Sequence, residues 1–243
     1  MKLSFFKVIV SLILVATLNA KVQNTPADEK REISLDSEEP LFVSLGPECY
    51  LAWNLEEIGY RRAAFPFDWL LTLDHERMVE LLNDDFRYFL DPMFYSYHTN
   101  GSLVHSYYHL EFRHEHDYEF NAKYERRINR FRQLNTYRGK VFFMRKGYYA
   151  AEEPSLFLCW PNKDMINIRF ECATQLNSAL KKRFPNLNFN LAIFNYSPGS
   201  YQMQIVDDII IFNLEHQDRF DQFKVAVEAL VRYAKDPSKP LDL

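Results

Sequence analysis

The sequence predicts an α/β domain with a mainly parallel central sheet and helices on both faces. Three observations carry that expectation. Short apolar runs read as buried strands, helical stripes fall between them, and 21 Phe and 15 Tyr against 6 Gly indicate a large filled core. "LFVSL", residues 41–45, opens the domain as a strand. A helix follows from about Pro47 to Ile58: proline suits a first helical turn, Leu51, Leu55 and Ile58 recur at helical spacing, and Gly59 supplies the stop. A second helix is expected from Asp74 to Leu82, with Asp74 as its N-cap. In "HSYYHLEFRH", residues 105–114, aromatic and polar residues alternate as in a strand. Residues 118–134 set Phe120, Tyr124, Ile128 and Phe131 on one side of a helix. Then come "KVFFMR" (strand), residues 164–183 (helix), "LNFNLAIF" and "IVDDIIIF" (strands) and residues 218–234 (helix). Strands and helices alternating in this order favour parallel pairing, and such sheets bind ligands beyond the carboxyl ends of their strands.

Residues 1–20, "MKLSFFKVIVSLILVATLNA", have the build of a secretory signal: Lys2 and Lys7, an apolar run from Val8 to Leu18, then Ala20. The run is shorter than the ~20 residues that span a bilayer, although an uncleaved anchor is the alternative. Residues 21–39 are polar and read as a flexible leader, which leaves 40–243 as one domain. The expected localisation is secreted, periplasmic or lumenal, with no stable membrane span after cleavage. Losing residues 1–20 takes two lysines and no acids from a net charge of −4, leaving −6, which gives no drive toward nucleic acid. Of three cysteines, Cys159 and Cys172 are close enough in sequence to pair and leave Cys49 over. Asn100 and Asn195 are glycosylation sequons.

Cys49 draws the first functional question. With Pro47 at the first helical position it sits at about the third, among amides without intrahelical partners and at the positive end of the peptide dipoles. That environment favours a thiolate, and the amides of the Gly46–Glu48 turn are candidate oxyanion donors. The plain alternative is a small core residue. A nucleophile needs a base, and five of the seven histidines fall between His98 and His116. In "RHEHDYEF", His114 and His116 flank Glu115 and Asp117 follows, a setting for a general base. A metal site is the rival, with His114 and His116 joined by His105, His109 or Asp117; a solvated turn is the plain reading. Asp68, between Phe67 and Trp69, either pairs with Arg61 or Arg62 or orients the base. Arg126, Arg127, Arg130 and Arg132 form a solvated helix face, unless Arg127 or Arg130 turns inward to Asp68 or to an acidic group. Asp207 and Asp208 start the strand "IVDDIIIF" and offer a third triad member. No nucleotide-binding glycine loop, HExxH or GxSxG occurs.

Together "FVSLGPECYLAWNLEEIGYRRAAFPFDWL", "HEHDYEFNAKYERRINRF" and "KVFFMR" resemble the DUF1796 family of papain-like cysteine peptidases, over roughly residues 41–213. The resemblance implies Cys49 as nucleophile and His116, the histidine of the H-D pair, as its partner, and it brings a papain-like α+β layout as the alternative fold. The expectation is an exported thiol hydrolase, peptidase-like, acting on a peptide or other acyl substrate without cofactor or metal. Cys49 attacks, His116 carries the proton, Asp68 or Asp207 orients it, and Trp69, Asp117 and Arg127 line the substrate site. The alternatives are a non-peptidase α/β enzyme acting on a sugar or acyl group, and an exported binding or effector protein in which Cys49 is inert.

Overall fold

The structure, a computed structural model, describes residues 32–72, 74–98, 101–113, 115, 119–147, 167–197, 199, 201–215 and 220–239. Its main sheet has the order β1 (Leu41–Ser44), β5 (Val141–Lys146), β6 (Phe189–Tyr196), β8 (Ile209–Leu214), β7 (Gln202–Val206). The first four run parallel and β7 is antiparallel to β8. A second, three-stranded antiparallel sheet joins β2 (Tyr95–Tyr97), β3 (Leu103–His105) and β4 (Leu110–Phe112).

The strands are apolar on both faces because both are covered. Alternate residues divide between two cores. Leu41, Val43, Val141, Phe143, Leu191 and Ile193 face α2 (His75–Asn83), α3 (Phe120–Gln133) and α4 (Phe170–Arg183). Phe42, Phe142, Met144, Ala192, Phe194 and Phe212 face α1 (Tyr50–Glu57) and α5 (Phe220–Lys235). The architecture is therefore the expected α/β arrangement with a mostly parallel sheet. Among the described residues no helix is long and apolar enough to cross a membrane.

Four expectations are corrected. Helix α1 begins at Tyr50, not Pro47, because Gly46 takes φ +80° and the Pro47 carbonyl accepts from Thr72 N–H (2.8 Å); the first helical bond is Trp53 N–H to Cys49 O (2.8 Å). The segment 105–114 is not one strand: β3 ends at His105, and a turn with His109 at φ +53° leads into β4. "IVDDIIIF" is likewise a hairpin, with Asp207 at φ +53° in the turn between β7 and β8. Part of the leader belongs to the domain: Ile33 and Leu35 pack on the core, and Arg138 N–H donates to Leu35 O (3.0 Å). Helix α2 and its cap are as expected, with Asp74 Oδ1 accepting from Arg77 N–H at 3.1 Å. Residues 1–31, and with them the signal segment, lie outside the described residues.

Candidate functional site

Sequence polarity gathers where β1 and β5 end. β1 passes into Leu45 and Gly46, whose N–H donates to Ser44 Oγ (3.1 Å). A side chain at Gly46 would place its Cβ 2.5 Å from Thr72 Oγ1 and 3.1 Å from Arg145 Nη1, so glycine is needed both for its positive φ and for this approach. β5 ends in two consecutive cations, which the pleat sends to opposite faces. Arg145 points toward α2 and is wholly buried. Its Nη1 donates to Leu45 O and Thr72 Oγ1 and its Nη2 to Thr72 O, all neutral oxygens, while Nε has no partner. Burial alone draws its guanidinium down to about 9, the mark of a cation without an anion beside it. His75, the first residue of α2, has Nε2 3.0 Å from Gln175 Oε1; burial and then the Arg145 charge hold it below its usual value.

Lys146 points to the α1 face. Its Nζ donates to Glu48 Oε1 (2.7 Å) and lies 3.9 Å from the centre of the Tyr50 ring. Between these groups stands Cys49, the N-cap of α1 and partly buried. Burial, then the Glu48 charge, pushes its thiol up to about 11, against the opposing pull of its own backbone N–H, Lys146 and Arg113. This corrects the expectation of a thiolate. Starting the helix at Tyr50 brings Cys49 to its edge rather than into its first turn, and Glu48 is the nearest acid. Gly46 is also corrected as an oxyanion donor, since its N–H is committed to Ser44. Glu48 is an ion-pair partner of Lys146, side chain to side chain.

The histidine-rich segment is sewn to this turn. Leu71 and Glu111 exchange both backbone bonds (2.9 and 3.1 Å), and Thr72 N–H then reaches Pro47 O. β4 therefore exits beside the Cys49 turn, and Arg113, the residue after it, is close enough to act on the sulfur. Glu115 is buried and fixed to α3 by Lys123 Nζ (2.6 Å) and the Tyr124 hydroxyl (3.3 Å), with Arg127 Nη1 at 3.6 Å. His114, His116 and Asp117 lie outside the described residues.

The other predicted residues divide cleanly. Asp68 is paired with Arg61: Oδ2 accepts from Arg61 Nη2 (2.8 Å), Arg61 Nε (3.3 Å) and Phe65 N–H (2.9 Å). Trp69 carries the Arg61 guanidinium over its ring at 5.2 Å. Arg127 and Arg130 do turn inward; Arg127 meets Glu115 and Arg130 donates to Ala64 O. Asp207 is corrected as a triad member. It precedes β8, which runs parallel to β1, so it lies at the amino edge of the sheet, about 20 Å of strand from the end where Cys49 stands. His105 is a core histidine: its ring is hydrogen-bonded at both nitrogens, to Tyr88 O (2.9 Å) and from Tyr108 N–H (3.2 Å). His109 Nδ1 lies 2.7 Å from Asp74 Oδ2. Among the described residues no three metal-binding side chains cluster. Asn195 is buried and exchanges both amide bonds with the Ile168 backbone (2.8 and 3.0 Å), so its sequon is a structural tie. Cys172 is buried and, among the described residues, a free thiol; Cys159, its expected partner, lies outside the described residues.

Thr72, His75, Arg145 and Lys146 went unnoticed as site residues. The signal for the last two was in "KVFFMRK": charged residues closing an otherwise apolar strand belong at the ligand-binding end of a parallel sheet.

Sheet order, the glycine turn and the cysteine beyond β1 define an α/β protein whose candidate site lies at the strand ends. The chain belongs to the family described as "Putative papain-like cysteine peptidase (DUF1796)", whose model matches residues 40–199. Comparisons with curated proteins and with solved structures gave no match.

Proposed function

We propose that the protein is an exported thiol hydrolase, peptidase-like as its family description suggests, with Cys49 as nucleophile and His116 as general base. The observation that carries this reading is the backbone pairing of Leu71 with Glu111 and of Thr72 with Pro47, which ties the segment leading to His116 to the turn before Cys49. At neutral pH Cys49 is a thiol, so attack requires the proton to leave as the bond forms. Cys49 Sγ adds to the substrate carbonyl carbon while its proton passes to His116. The bond to the leaving amine or alcohol breaks as His116 returns that proton. Water then cleaves the acyl-thioester, giving up its own proton through His116, and sulfur is restored as thiol. The amides that open α1, beyond Cys49, replace Gly46 as candidate donors to the oxyanion. Asp117, Trp69 and Arg127 remain proposed lining residues, and export rests on residues 1–20.

The three-layer α/β architecture favours a second reading, in which the acyl substrate is not a peptide. Both readings predict the same first step. Incubation with 4-nitrophenyl acetate should acetylate Cys49, seen as an added mass on its peptide. His116→Ala should slow acetylation about 100-fold or more, and Cys49→Ala should abolish it. Acetylation elsewhere in the chain, or hydrolysis undiminished in Cys49→Ala, rejects the nucleophile.

A further inference from the structure

The pleat at the end of β5 puts two cations beside the Cys49 turn, and they are not equally neutralised. Lys146 has Glu48 at 2.7 Å. Among the described residues Arg145 has only carbonyl and hydroxyl oxygens, and it is buried. Buried charges are ordinarily paired, because an isolated one is costly. Here one positive charge stands over, held rigidly against Leu45 and Thr72 and 3.1 Å from where a Cβ on Gly46 would lie. The start of α1, a helix of eight residues, adds its partial positive end on the same turn. The ion pair itself is lopsided: the Lys146 side chain is 3% exposed and that of Glu48 27%. Glu48 can swing into water, whereas Lys146 cannot follow it.

We propose that the turn at Cys49 takes an acyl substrate bearing a carboxylate near its reacting carbonyl, which replaces Glu48 on Lys146 with the Arg145 charge fixed behind it. The proposal deepens the hydrolase reading and rests on Cys49 as the reacting group. A neutral substrate leaves the Glu48–Lys146 pair closed. An anionic one opens it, so the site discriminates its substrates by charge. Lys146 is then a specificity residue that touches substrate, and Arg145 a positioning residue acting through the turn and its field.

The test uses the full chain and two reagents of opposite character, iodoacetate and iodoacetamide. The rate of alkylation at Cys49 is read by mass spectrometry at one pH and low ionic strength, and the ratio of the two rates is compared with that for free cysteine. Both reagents meet one sulfur in one protonation state, so the base cancels from the ratio. Acetylation undiminished in His116→Ala, with an intact ratio, would sink the hydrolase reading alone. The expected ratio is about tenfold above that of free cysteine. It falls to the free value in Lys146→Met, is retained in Lys146→Arg and rises in Glu48→Gln. A wild-type ratio at or below the free value, a ratio indifferent to Lys146→Met, or a Cys49 that neither reagent reaches overturns the proposal.

Discussion

Of the guanidiniums buried among the described residues, Arg61 and Arg145 live differently. Arg61 lies in the loop after α1 with Asp68 at 2.8 Å, Glu56 at 3.3 Å and Trp69 beneath it. Around it the loop is a closed structural unit: the acid also caps Phe65 N–H, and every strong donor has an anionic acceptor within reach. Arg145, at the carboxyl end of β5, is more deeply buried and has no carboxylate partner among the described residues. The difference teaches how to read buried charge. A neutralised pair fixes a loop, whereas a cation without an anion at a strand end, beside a cysteine and a glycine turn, is the feature on which the proposed anionic substrate rests.

The largest effect should come from breaking the neutralised region. Asp68→Ala leaves Arg61 buried without its main partner and should cost about 3–5 kcal/mol in urea unfolding, while the Cys49 alkylation ratio of the surviving folded protein stays unchanged. A changed ratio would join the two regions and undo the contrast. Gly46→Ala comes next. Positive φ and contact with Thr72 Oγ1 should cost about 1–3 kcal/mol, and because the strain falls on the turn itself, Cys49 acetylation should fall with it.

Arg145→Met should be milder in stability, within about 1–2 kcal/mol of wild type, because losing the desolvated charge offsets the bonds to Leu45 and Thr72. Its alkylation ratio should nevertheless drop. If Arg145→Met destabilises as much as Asp68→Ala, the two arginines are alike and the comparison fails. The smallest effect is a pH dependence. Burial holds His75 and His105 below their usual values, so on acidification the unfolded chain takes up protons first. Stability present above about pH 6.5 is lost below it. His105→Phe should therefore show a smaller fall in Tm between about pH 7 and about pH 5 than wild type does. An unchanged fall removes His105 from the acid response.

Local pattern made the architecture legible. Apolar strands separated by amphipathic helices specified a covered parallel sheet, and Asp74 announced its own helix. The two misread strands share one cause, turns built from residues other than glycine. His109 and Asp207 both take positive φ, a conformation the sequence does not advertise in a histidine or an aspartate flanked by strand formers. Reading through them merged two hairpins into single strands and hid the small antiparallel sheet; Asp207 does lie at the start of β8, but that start is the edge of the sheet away from Cys49. Cys49 was visible as an oddity, yet its protonation was not. Whether a helix start yields a thiolate depends on the exact first turn, and Gly46, Thr72 and Arg145, from three distant stretches, set that turn. Arg145 itself was in plain view at the end of an apolar run, but its lack of an anion is a fact of three dimensions.

The central claim is that Cys49 is a neutral thiol that reacts only when a base takes its proton. Two pH profiles on the same sulfur test it. Alkylation by iodoacetamide, which needs a thiolate already formed, should climb toward a midpoint of about 11. Acetylation by 4-nitrophenyl acetate should instead level off well below that midpoint, and the plateau should vanish in His116→Ala. If acetylation follows the alkylation curve up to high pH in both proteins, no base serves Cys49 and the hydrolase account is wrong.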